Sequence, residues 1–238
     1  MFLRSFAVQA TFNYRTLIAN GFAFALLPAL REIFHGRPAE FDAALERHTR
    51  VFNSHPYFTG IALGAVAVLE AQGAEPQVIE RFKSAVRGSL GSLGDRLIWA
   101  GWRPACLLVA LLLFFVGVPW WGVLGTFLLT YNIGHFFVRA WGFRIGLRHA
   151  TAVAEQLRRP GLRDAQRGLA SACAFLLGAV LPFVAAGKPL AAGIPPIWLL
   201  AVAAASVLGL RFGAAIRTPA VLVLAGFVIV GLVWGAVR

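Results

Sequence analysis

Acidic residues are few in this chain and absent from its final third. Ten Asp and Glu stand against 22 Lys and Arg, and every acid lies at or before Asp164. Charged residues of both signs make up only 13% of the 238 residues. That is too little charge to cover a water-soluble globule, where about 25% is usual. Cysteine is nearly missing as well. Cys106 and Cys173 each sit in an apolar run, which excludes a disulfide scaffold and a multi-cysteine zinc site. No uninterrupted apolar stretch precedes Asn13-Tyr14-Arg15, so no secretory signal is expected and insertion must use the mature chain. What is plentiful is apolar surface. With 59% hydrophobic residues and a mean hydropathy of +0.74, the chain is neither disordered nor soluble but a membrane protein. A net charge of +12 then reads as basic cytoplasmic loops. A nucleic-acid partner would need a soluble basic face and is not expected.

The sequence divides near Arg103-Pro104, into residues 1–103 and 104–238 of one integrated membrane domain. Spanning takes about 20 mostly apolar residues. Five stretches approach this: Pro104–Val118, Val123–Val138, Gly168–Ala186, Ile197–Ala215 and Pro219–Val237. Four to five C-terminal transmembrane helices are therefore expected. Pro119-Trp120-Trp121-Gly122 reads as a tight interfacial turn. Between the second and third stretches lies a basic loop, Arg139 to Arg167, with seven arginines against Glu155 and Asp164. The excess of positive charge puts this loop, and residues 1–103, on the cytoplasmic side.

Residues 1–103 alternate short apolar stretches with charged ones. Leu17–Leu30 and Tyr57–Leu69 are too short to span, and segments of that length are more often re-entrant or interfacial. Gly60 and Gly64 allow close packing on the second. Two amphipathic helices are predicted beside them, starting at Pro38 and Pro76, prolines being favoured at a helix's first position. Their stripes are Phe41, Ala44, Leu45, His48, Val51, Phe52 and Val78, Ile79, Phe82, Ala85, Val86, with Lys83 on the opposite face. Two placements stay open: along a membrane surface, or packed on neighbouring helices. The expected class is all-α, a polytopic membrane protein with re-entrant hairpins and amphipathic interfacial helices.

Several residues are candidates for a site. In Gly88 to Asp95, glycine recurs every third residue. It lacks the Gly-Lys-Ser/Thr of a phosphate loop, and reads as an unwound segment whose backbone must face water, protein or ligand. Asp95 either caps the following helix or lines the site. In Phe52-Asn53-Ser54-His55-Pro56-Tyr57, Pro56 forces His55 out of the helical region and breaks the chain. Asn53 and His55 can hydrogen-bond hydroxyls, or Asn53 is a plain C-cap. Glu70 and Arg103 either line a polar path or mark the interface. No His, Asp or Glu cluster has metal-ligand spacing, no nucleophile stands beside a base, and no cofactor is expected.

These motifs together resemble a known family, the IID membrane subunit of the mannose/fructose/sorbose-type sugar phosphotransferase system. Four blocks carry the resemblance. The first is Phe2-Leu3-Arg4-Ser5, Gln9, Asn13-Tyr14, Gly21-Phe22 and Pro28-Ala29; the second is Arg47-His48, Phe52 to Tyr57, Leu63-Gly64 and Leu69-Glu70. The third is Gly88 to Asp95 with Trp99 and Arg103-Pro104, and the fourth runs from Tyr131-Asn132 through Gly142 and Gly146. Ser89 and Arg96 stand where the third block usually has proline. The resemblance implies a non-catalytic subunit that pairs with a IIC membrane subunit in a bacterial inner membrane, as a trimer of IIC–IID pairs. Soluble IIA and IIB subunits would carry the phosphoryl group, and the pair would move a sugar. It makes Asn13, Asn53, His55, Glu70, Asp95 and Arg103 candidates for the sugar path. The basic segment offers Arg139, Arg144, Arg148, Arg158 and Arg159 for docking a partner or anionic lipid. The competing expectations are a membrane interaction or regulatory protein on the same scaffold, and an enzyme acting through Asp95, His55 and Arg103.

Overall fold

The computed structural model describes residues 1–158 and 160–186. The apolar stretches Ile197–Ala215 and Pro219–Val237, and Arg159, lie outside the described residues. Those described form helices joined by short turns, as the all-α expectation requires, with two isolated β-bridges, Asn13 to Leu17 and Leu17 to Phe52. Packing groups the chain differently from a single cut at Arg103-Pro104. One unit combines Met1–Arg96 with Gly134–Leu162, and the other Leu97–Ile133 with the chain from Arg163 onward.

In the first unit a 3-10 turn (Leu3–Ala7) leads to α1 (Ala19–Ile33), which packs on α2 (Pro38–Thr49) and α3 (Thr59–Ala71). α4 (Pro76–Gly94) packs on α3 in turn. The helix α3 is the centre, because it has no polar face to give to solvent. Ile61, Ala62, Leu63, Ala65 and Val66 are all fully buried. Both α2 and α4 begin at the expected prolines and lay their apolar stripes against other helices of the unit. The α4 stripe is turned from the expected one. Ile79, Phe82, Val86 and Leu90 are buried, Val78 is exposed, and Lys83 is on the buried face at 2% exposure. Lys83 follows Ile79 by four residues and Phe82 by one, so the helical period places it there.

A long helix, α6 (Trp120–His149), contributes its second half to this unit. The expected basic loop from Arg139 is therefore helical as far as His149, followed by a 3-10 turn (Ala150–Ala152), a short α7 (Val153–Leu157) and the start of α8 (Pro160–Ala186). What holds it is a glycine crossing. A Cβ added at Gly64 would lie 2.7 Å from Leu147 N and Phe143 O, and one at Gly146 would collide with Ile61 O. Gly60 and Gly142 sit one turn earlier on the two helices, and their added Cβ atoms would also meet the opposite helix, at 3.3 Å and 3.0 Å. Paired small residues at this spacing let backbones touch.

The second unit holds α5 (Arg103–Phe115), the first half of α6 and α8 from Arg163 on. Gly117, at φ +90°, ends the turn after α5, and Phe115 stacks on Phe183 at 5.5 Å. The Cys173 thiol donates to Gly101 O at 3.3 Å, and the Trp102 indole donates to Tyr131 O at 3.4 Å.

The glycine-rich run is not unwound. α4 passes through Gly94 into a π-helical segment, Asp95–Trp102, and on into α5. The result is one 40-residue helix, Pro76–Phe115, which is long and apolar enough to cross a membrane. Glycine costs a helix about 1 kcal/mol per residue, and burial of Leu90 and Leu93 outweighs it here.

Candidate functional site

The chain leaves α2 at Thr49, and Pro56 keeps His55 out of the helical region further on. Arg50 turns extended, and Phe52 then pairs with the first hairpin: Ile18 N–H donates to Phe52 O at 3.1 Å. His55 follows, with its carbonyl accepting the N–H groups of Phe58 and Thr59 at 2.9 and 3.0 Å. Ser54 and Thr59 share a 2.7 Å hydroxyl hydrogen bond. The start of α3 is thus satisfied by the break itself, as a buried helix end requires.

The His55 side chain is buried and lies directly on Gly94, where any Cβ would collide with the ring. Its Nδ1 accepts the Tyr57 N–H at 3.3 Å. Burial first, then the positive charge of Arg139 and then His135, push His55 down to about 4. It is therefore a neutral imidazole at pH 7, with its proton on Nε2. Asp95 is the next residue after Gly94 and is exposed. The helix is continuous there, so no helix N-terminus exists for Asp95 to cap. A neutral imidazole is suited to hydrogen-bonding hydroxyl groups.

The other candidates are dispersed. Asn53 is exposed on the extended stretch, and Arg103 is exposed at the start of α5 in the second unit. Asn13 is spent on its own turn. Its Oδ1 accepts Thr16 N–H at 2.8 Å and Arg15 N–H at 3.0 Å, and its Nδ2 donates to Thr16 Oγ1 at 2.8 Å. Glu70 lies at the far end of α3 from His55, about 16 Å along the axis. There it accepts two hydrogen bonds from Arg47 Nη2, at 2.8 and 3.0 Å, and one from His48 Nε2 at 2.7 Å. Lys83 joins from α4 by donating to Arg47 O at 3.0 Å. This buried cluster ties α2, α3 and α4 together. Burial lowers His48 below its ordinary 6.5 despite the Glu70 hydrogen bond. Burial raises the Glu70 carboxyl, but the His48 and Arg47 hydrogen bonds outweigh that and leave it below 4.5.

Of the docking candidates, Arg144, Arg148 and Arg158 are exposed. Arg139 is not on the surface, at 4% exposure. Its Nη1 donates to Ser5 O at 2.7 Å and its Nε to His135. The guanidinium lies over the rings of Phe6 and Tyr57, 4.6 and 5.1 Å from their centroids, and Tyr57 stacks on His135 at 3.9 Å. This cage fastens the amino-terminal turn to α6. The seven-arginine count gave no sign that one of them faces inward. The phase of Arg139 relative to Gly142 and Gly146, three and seven residues on, is the signal that could have shown it. Among the described residues, no group of three or more His, Cys, Asp or Glu is placed to hold a metal ion.

Residues 1–189 match the family model described as the PTS system mannose/fructose/sorbose family IID component. The fructose permease IID component of Bacillus subtilis is 25% identical over 186 residues, 76% of this chain and 66% of that protein. The sorbose-specific EIID component of Klebsiella pneumoniae is 27% identical over 190 residues, 76% of this chain and 67% of its own. The mannose-specific EIID component of Escherichia coli K12 is 26% identical over 189 residues, 76% and 65%. This chain thus spans about two thirds of the length of these relatives. A chain in the cryo-EM structure of the mannose transporter ManYZ with microcin E492 is similar in fold. The TM-score is 0.58 at 25% identity, over 99% of this chain and 93% of that one.

Proposed function

The chain belongs to the mannose/fructose/sorbose IID family, and on that premise we propose that it is the non-catalytic membrane subunit of a sugar phosphotransferase transporter. It forms the sugar path together with a IIC subunit in a bacterial inner membrane, as a multi-pass protein with four to five C-terminal spans and as part of a trimer of IIC–IID pairs. Phosphoryl transfer belongs to soluble IIA and IIB partners. The observation that carries the reading is the meeting of the two motif blocks, residues 52–57 and 88–95, at the contact of His55 with Gly94. His55 is a neutral imidazole at that contact, and Asp95 is the exposed residue next after Gly94 on the continuous helix. Asn53, exposed two residues before His55, can also hydrogen-bond sugar hydroxyls.

The test is co-expression with the neighbouring IIC subunit in cells lacking their own mannose-family transporter. A stable pair and uptake of labelled sugar are expected. Asp95→Ala should lower uptake by tenfold or more while membrane abundance stays within twofold. Equal losses in both would make Asp95 structural. A well-folded pair that neither binds nor takes up sugar would overturn the reading in favour of an interaction protein.

A further inference from the structure

The carboxyl-terminal part of α6 carries a groove of about 310 Å³ that the proposed transport role does not use. Phe137, Trp141 and Ile145 form one end, and Arg144, Arg148 and His149 the other. These positions recur every three or four residues, so they form a single stripe along the helix. From Phe137 to Arg148 the stripe is about 16 Å long at 1.5 Å per residue. Phe137 is 69% exposed, and Arg144 and Arg148 are exposed as well. The opposite side of the same helix is committed to α3 through Gly142 and Gly146 and to the amino-terminal turn through Arg139.

The charge of the groove is uncompensated. No acid occurs in the sequence between Asp95 and Glu155, and among the described residues no ion pair includes Arg144 or Arg148. The two guanidiniums lie at i and i+4, so both can reach one phosphate. An acidic peptide would satisfy the arginines yet leave the exposed phenylalanine uncovered. A molecule that fits both ends must be anionic at one and aliphatic at the other. We propose that this groove is a binding site for an anionic glycerophospholipid, with the headgroup phosphate on Arg144 and Arg148 and an acyl chain along Phe137, Trp141 and Ile145. Basic pockets on membrane helices recognise anionic headgroups in this way. The proposal is independent of sugar transport, and its readout is lipid retention.

The test uses the full chain, solubilised and offered equal amounts of phosphatidylglycerol and phosphatidylcholine, with bound lipid counted by native mass spectrometry. The wild type should retain phosphatidylglycerol at least fivefold over phosphatidylcholine. Arg144→Gln/Arg148→Gln should abolish that preference, whereas Arg163→Gln, an exposed arginine on α8, should leave it intact. Phe137→Ala should weaken retention of the long-chain lipid but not the competition exerted by soluble glycerol phosphate. Circular dichroism melting of each variant separates loss of the site from loss of the fold. Equal loss in Arg163→Gln, or no preference in the wild type, would overturn the proposal. So would release of phosphatidylglycerol when the IIC partner is co-expressed, since that would assign the face to protein contact.

Discussion

Glu70 shows how much one side chain can hold in an apolar setting. It is 4% exposed and receives Arg47 and His48 from another helix. Removing one member of such a buried group leaves the others uncompensated, at a cost of about 3–5 kcal/mol. Glu70→Gln should therefore lower the unfolding midpoint in detergent by many degrees. Glu46→Gln, in an exposed pair with Arg50, should leave it unchanged. The same cluster sets a pH dependence. His48 has a folded value below 6.5, so as pH falls the unfolded chain takes up the proton first. The contribution is present in full above 6.5 and is lost as pH falls below it. Glu70, also lowered, extends the loss below 4.5. Unfolding midpoints at pH 7.5, 6 and 5 should fall in that order, and His48→Gln should remove the upper part of the slope. Sequence alone marked Glu70 as a costly charge. It could not supply the partners, because Arg47 lies 23 residues away on a different helix. The Asn53–His55 break was legible because Pro56 acts on its immediate neighbour. The inward placement of Arg139 was not legible, because its partner Ser5 is 134 residues distant.

Glycine has opposite effects on α3, α4 and α6, and substitutions should separate them. At Gly146 a methyl group collides with Ile61 O. Gly146→Ala should cost about 1–3 kcal/mol, the usual penalty of overpacking. At Gly88 a methyl group meets nothing within 4 Å, and Gly88→Ala should stabilise the protein by about 0.5–1 kcal/mol through better helix propensity. Chemical denaturation of the two variants checks both signs. The start points of α2 and α4 were readable, since proline at a first turn is a local signal. The Gly60/Gly64 pair was readable as a packing surface for the same reason. The glycine-rich run misled because intrinsic propensity is weak against burial, and Leu90 and Leu93 fall on the buried face. The turned stripe of α4 follows from the neighbours it meets, which no single-helix pattern contains.

At the scale of the molecule, the membrane character followed from composition, because too little charge is a global property, and the all-α class followed from the lengths and stripes of the apolar segments. The grouping into units did not. Residues 97–133 stand in sequence between two parts of one packed unit, and no change in composition marks such a rejoining. This has a consequence in time. During synthesis α3 leaves the ribosome long before Gly142 and Gly146 exist to cover it, and Ser5 waits for Arg139. At roughly 5–20 residues per second, the delay from Arg96 to Gly146 is on the order of seconds. The amino-terminal half is thus finished only by a segment that has to be inserted later, and its completion reports that the intervening helices have been passed. In pulse-chase proteolysis, protection of the first 96 residues should appear only after synthesis has passed Gly146. A chain stopped at Ile133 should never gain it. Protection that appeared early would mean that α3 finds another cover while it waits.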